Sequence, residues 1–139
     1  MNNKRKWLIL VFMIIFHTSA YGMEYIDLKK IAAIESSNNP KAYNKYSKAR
    51  GLYQITPICL KDYNLCNKKK YREEDLFNPE VNTAIAKWYF NIRIPQLLKA
   101  KKQNITTNNI LVAYNAGIRS VGKRNLPKET RNYIKKYGK

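Results

Sequence analysis

Glu24-Tyr25-Ile26-Asp27-Leu28-Lys29-Lys30-Ile31-Ala32-Ala33-Ile34-Glu35 places Leu28, Ile31, Ala32 and Glu35 at i, i+3, i+4 and i+7, the spacing of one helical face. Ser36-Ser37-Asn38-Asn39-Pro40 follows at once and stops the helix. Three positions of the face are apolar and the fourth is a carboxylate. A carboxyl held against apolar neighbours has its charged form disfavoured, so its pKa rises. An acid still protonated near neutral pH can hand a proton to a leaving oxygen. Spacing alone leaves a second outcome open, in which Glu35 bends out to water from the helix end.

The chain on either side reads as further helices joined by polar loops, with no convincing alternating strand. A loop rich in Asn, Lys and Tyr runs to Arg50, and Gly51 to Leu60 resumes an apolar stretch, helical after Pro57. The strongest helix begins at Asn78-Pro79-Glu80. Asn78 caps free backbone N–H groups, Pro79 suits the first helical position, and Glu80 opposes the positive helix end. Val81, Ala84, Ile85, Trp88, Tyr89 and Ile92 supply its apolar stripe. Ile110 to Ala116 predicts a shorter helix ended by Gly117. Pro127 opens a last one, with Thr130, Tyr133, Ile134 and Tyr137 on a shared face. Without repeats or long linkers, the expectation is one mainly α domain.

Upstream, Lys4-Arg5-Lys6, the apolar run Trp7 to Phe16 and the small, polar His17 to Gly22 occur in the order of a secretory signal peptide, residues 1–22. Ala20 and Gly22 fit the −3 and −1 positions of a cut after Gly22, leaving a domain of residues 23–139. The apolar run is short of the roughly 20 residues that span a bilayer. The expected location is secreted, periplasmic or cell-wall associated. The 27 basic and nine acidic residues give +18, and a leader holding three of the basic ones leaves +15. Such a charge favours polyanionic surroundings. For an exported chain these are the wall, teichoic acids or lipid headgroups. No recognised binding motif accompanies the charge, so nucleic acid is not an expected partner.

Composition also excludes chemistries. The sole histidine, His17, lies in the leader, which removes Ser-His-Asp and Cys-His catalysis and the commonest zinc sites. Cys59 and Cys66 are the only cysteines. In an oxidising compartment they are expected to bridge, stabilising a small loop by roughly 2–3 kcal/mol; a free pair is the alternative.

Four ordered blocks carry a resemblance. Glu35-Ser36 with Asn39-Pro40, Ala49-Arg50-Gly51-Leu52-Tyr53-Gln54-Ile55 with Pro57, Asn78-Pro79-Glu80-Val81-Asn82 with Trp88-Tyr89, and Ala113-Tyr114-Asn115-Ala116-Gly117 with Leu126 to Tyr133 resemble the core of the soluble lytic transglycosylase family. They cover almost all of the chain after the leader. The resemblance implies a lysozyme-like α domain with a substrate groove for the alternating amino sugars of peptidoglycan, acting as a monomer without cofactor or metal. It implies that Glu35 protonates the glycosidic oxygen and then acts as base, while the sugar's own 6-hydroxyl closes a 1,6-anhydro ring. The substrate's N-acetyl group assists, so no protein nucleophile is required.

Roles carry over residue by residue. Ser36 resembles the serine that orients the acid or substrate, Gln54 a groove-facing glutamine, and Tyr114 and Asn115 residues that pack against and hydrogen-bond sugar. Tyr133 resembles a tyrosine whose hydroxyl fixes the glutamate. Tyr53 departs from the usual methionine, with an expected effect on the groove floor or a stem contact. Lys48 stands where glycine is common. A goose-type lysozyme shares much of the fold but hydrolyses, using a second carboxylate for which Asp62, Glu73, Glu74 and Asp75 are candidates. A non-catalytic wall-binding scaffold is a further rival, against which the intact Glu35, Gln54, Asn115 and Tyr133 argue. Compactness suggests service to an envelope-spanning secretion, conjugation or phage apparatus.

Overall fold

The structure is a computed structural model that describes residues 26–139; the leader and its cut site lie outside the described residues. Six α-helices account for half of it, α1 (Leu28–Ser36), α2 (Pro57–Asn67), α3 (Pro79–Trp88), α4 (Ile94–Ala100), α5 (Thr107–Ala116) and α6 (Lys128–Tyr137). Short 3-10 turns occupy Glu73–Phe77 and Ile118–Ser120. Among the described residues there is no strand, only isolated bridges pairing Tyr43 with Arg50 and Arg50 with Ile55. The mainly α architecture is the lysozyme-like one expected.

Caps set the helix ends. Asp27 accepts from the Lys29 and Lys30 N–H groups, so α1 starts at Leu28. Ser37 and Asn38, both left-handed, return their N–H groups to Ala33 and Ala32 and close it. Thr56 caps α2 ahead of Pro57, and Asn78 caps α3 ahead of Pro79.

α3 and α4 form one rod with a π turn, Tyr89–Arg93, between them. The rod buries Asn82, Ile85, Ala86, Phe90, Ile94 and Leu98, and five of these follow one another at steps of four residues. A straight α-helix would drift by about 40° at each such step, since 3.6 residues make a turn. The wider π turn resets the drift. It also precedes Pro95, whose ring clashes with the carbonyl four residues back in a regular helix. Of the expected stripe, Ile85 is buried and Val81, Trp88 and Tyr89 pack partly buried against the core, while Ala84 and Ile92 are exposed.

α5 is the central helix, with Ile110, Leu111, Val112 and Ala113 buried in succession. A segment apolar on every side must be enclosed on every side, and α4 and α6 pack against it. α6 also packs on α1. There the Tyr137 hydroxyl accepts from the Asp27 N–H at 2.8 Å, and the Lys30 ammonium donates to the Tyr137 carbonyl at 3.1 Å. This contact, between positions 110 residues apart in sequence, sets Glu35 and Tyr133 on facing elements.

Cys59 and Cys66 are free, which corrects the expected bridge. Both lie in α2, seven residues apart, so their backbones are separated by about 10 Å along the axis. A disulfide needs Cα atoms within about 7 Å. Cys59 turns inward, while Cys66 is exposed with its thiol 3.7 Å from Asp62 Oδ1.

Candidate active site

A groove of about 960 Å³ runs over the helices, with Glu35 in its wall. One side is built by the loop of residues 37–56, represented by Asn44, Ser47, Gln54 and Thr56. Tyr114 and Asn115 of α5 line the groove between that loop and α6, whose Glu129 and Tyr133 stand near Glu35.

The loop is long and lacks regular structure, yet it is pinned from beneath. Asn82 is fully buried and makes three hydrogen bonds. Its Oδ1 accepts from the Tyr53 N–H at 2.9 Å, and its Nδ2 donates to the carbonyls of Arg50 and Leu76 at 2.9 and 2.8 Å. The Arg50 guanidinium pairs with Glu73 at 2.7 Å. Gly51 fits this crossing because its φ is +77° and a Cβ would lie 2.3 Å from the Leu76 carbonyl oxygen. Lys48 has φ +60°, a left-handed conformation that accounts for the glycine usual there.

Gln54 is also left-handed, at φ +50°. Its Nε2 donates to the carbonyls of Gly51 at 3.0 Å and Ala42 at 3.4 Å, leaving its side-chain oxygen as the acceptor for the groove. Tyr114 donates its hydroxyl to the Tyr53 carbonyl and packs its ring 4.3 Å from that of Phe90. It thus offers the groove a fixed ring and no free hydroxyl. Asn115 lines the groove half-exposed.

Glu35 is half-buried at the end of α1, and its pKa is pushed up from 4.5 to about 7. Burial is the main cause, disfavouring the anion. The Tyr133 hydroxyl pulls the value down, and the negative charge of Glu129 pushes it up. Tyr133 is itself raised above the ordinary phenol range by burial and by Glu35. Its hydroxyl is buried and closes no hydrogen bond of full geometry, so it faces the acid with a proton to give.

Glu35, Gln54, Tyr114, Asn115 and Tyr133 are thus brought together. Two expected residues are not. Ser36 donates its Oγ to the Ala32 carbonyl at 3.1 Å, back into its own helix, and does not line the groove. Tyr53 is buried in the core, where its bulk fills space under the loop and does not form the groove floor. The four suggested second carboxylates are occupied elsewhere or face away. Asp62 holds Arg93 at 2.7 Å, Glu73 holds Arg50, Asp75 caps its own turn through the Arg72 N–H, and Glu74 is exposed off the groove. The acid that does share the groove is Glu129, one helical turn before Tyr133.

The described residues thus form a mainly α, lysozyme-like domain with a half-buried carboxyl of raised pKa at the wall of an open polar groove. Residues 12–136 match the model of the transglycosylase SLT domain, and the chain belongs to that family, whose members act on peptidoglycan. Comparison with curated proteins and with solved structures returned no match.

Proposed function

We propose that this protein is an exported lytic transglycosylase that cuts the β-1,4 bond between N-acetylmuramic acid and N-acetylglucosamine, leaving 1,6-anhydro-muramyl ends. The observation that carries the reading is Glu35, an acid half-protonated near pH 7 at the wall of a polar groove. Its proton passes to the glycosidic oxygen as the bond from that oxygen to C1 breaks. The carboxylate so formed takes the proton of the 6-hydroxyl, whose oxygen bonds to C1. Glu35 ends the cycle protonated, and no water is consumed. Tyr133 steadies the carboxylate between the two transfers, while Gln54 and Asn115 present amide groups to sugar substituents. The leader places the enzyme at the wall, where it opens gaps as a monomer, in service of an envelope-spanning secretion, conjugation or phage apparatus.

Glu129 supports a second reading. As the other carboxylate on the groove it fits a general base activating water, the goose-lysozyme outcome. Mass spectrometry of the products from purified peptidoglycan separates the two. Anhydro-muramyl ends, lighter by one water than reducing ends, are expected. Reducing ends alone would establish hydrolysis, and an unaltered wall would leave only a binding protein.

A further inference from the structure

Sugar binding does not account for one wall of this groove. Lys128, Lys135, Lys136 and Lys139 line it at helical spacing along and just beyond α6, with Glu129 and Tyr133 among them. The loop wall opposite is polar and uncharged. The ion pairs among the described residues are Arg50–Glu73 and Arg93–Asp62, so none of the four ammonium groups is paired with a carboxylate of the described residues. Helix electrostatics explain only part of the pattern. Lys135 and Lys136 suit a helix C-terminus, but Lys128 opens α6, where a cation opposes the dipole.

In peptidoglycan the hydroxyls and acetamides belong to the sugars, and the carboxylates belong mainly to the peptide stem on muramic acid. We propose that the α6 wall is a subsite for that stem, its lysines pairing with stem carboxylates while the neutral wall holds sugar; this rests on the transglycosylase reading of the groove. The span from Lys128 to Lys139 is about 15 Å along the helix. A peptide of four to five extended residues, at about 3.3 Å each, has the same length. Lysine suits the task, because a point charge on a flexible stem tolerates several carboxylate positions. The enzyme therefore prefers strands that carry charged stems.

The test uses the exported protein on three soluble glycan preparations. The first carries intact stems, the second has stem carboxylates amidated with carbodiimide and ammonia, and the third is stripped by an amidase, leaving one lactyl carboxylate per muramic acid. KM is expected to rise about three- to tenfold from the first to the second, as two or more exposed ion pairs are lost. Stripped strands should be poorer than intact ones as well. K135Q/K136Q should flatten the contrast between intact and amidated stems, and K135R/K136R should keep it. Equal KM on intact and amidated strands overturns the subsite even if anhydro ends are produced. So does a K135Q/K136Q loss of the same size on all three. Cleavage of none of them removes the transglycosylase reading and this one with it.

Discussion

Replacing Glu35 by glutamine removes a proton donor and a buried titrating group together, and the two losses have opposite signs. Burial lifts the carboxyl from 4.5 to about 7. Between those values the folded chain keeps a proton that the unfolded chain has released, so stability falls as pH rises through the window. At about 1.36 kcal/mol per pH unit the fall approaches about 3 kcal/mol by pH 8. That is an upper figure, since solvent reaches part of the side chain. Glutamine does not titrate and escapes the loss. The stability of Glu35→Gln relative to wild type is therefore expected to increase by up to about 3 kcal/mol between pH 4.5 and pH 8, read from urea denaturation at both values. Activity moves the other way. General acid–base assistance is worth roughly 10²–10⁴ in rate, about 3–5 kcal/mol of barrier, and one carboxyl serving as acid and base places the loss at or beyond the upper end. Turbidity clearing of purified wall measures it, with circular dichroism and pelleting on insoluble wall to show that fold and binding survive. A folded Glu35→Gln protein that clears wall within a few-fold of wild type refutes the catalytic role. A stability difference that ignores pH refutes the burial argument.

The same geometry sets five further outcomes. In a pH–rate profile of kcat/KM, activity should decline above about pH 7 as Glu35 ionises. Glu129→Gln should move that limb to lower pH, because it removes the charge that raises Glu35, whereas under hydrolysis it would abolish turnover at every pH. Tyr133→Phe should move the limb to higher pH, since the hydroxyl that lowers the Glu35 pKa is lost, and slow turnover by about tenfold, the worth of one orienting hydrogen bond. Asn82→Ala should cost about 3 kcal/mol or more in urea, leaving the Tyr53 N–H and the Arg50 and Leu76 carbonyls without their partner. Its KM should rise with the loosening of the loop that carries Gln54. Iodoacetamide should label Cys66 quickly in the native protein and both thiols after denaturation without reductant, since burial raises the Cys59 pKa and no bridge joins them.

Signals that act within one turn of chain were legible in the sequence. Asn78-Pro79 opened a helix where it was expected, because a cap needs only its own side chain and the next three N–H groups. Glu35 emerged because it shares one helical face with Leu28, Ile31 and Ala32, a pattern local to α1. The misreadings arose where a distant partner decides. Nothing local distinguishes Asn82 as the most heavily bonded core residue, since its partners come from the Arg50–Tyr53 loop and from Leu76. The same crossing draws Tyr53 inward. Ile92 falls outside the buried face because a π turn that accommodates Pro95 carries the rod through it. The cysteine pair was assigned from compartment, and a continuous helix overruled it by distance.

Glu129 was hidden for a different reason. In the first turn of α6 an acid already has a sufficient cause, since it offsets the positive helix end. That local cause conceals a second one visible only when α6 lies against α1. Lys128 beside it has no such cover, being a cation at the end of the helix that disfavours cations. The residue that local physics leaves unexplained is the better guide to function, and here it points along α6 into the groove.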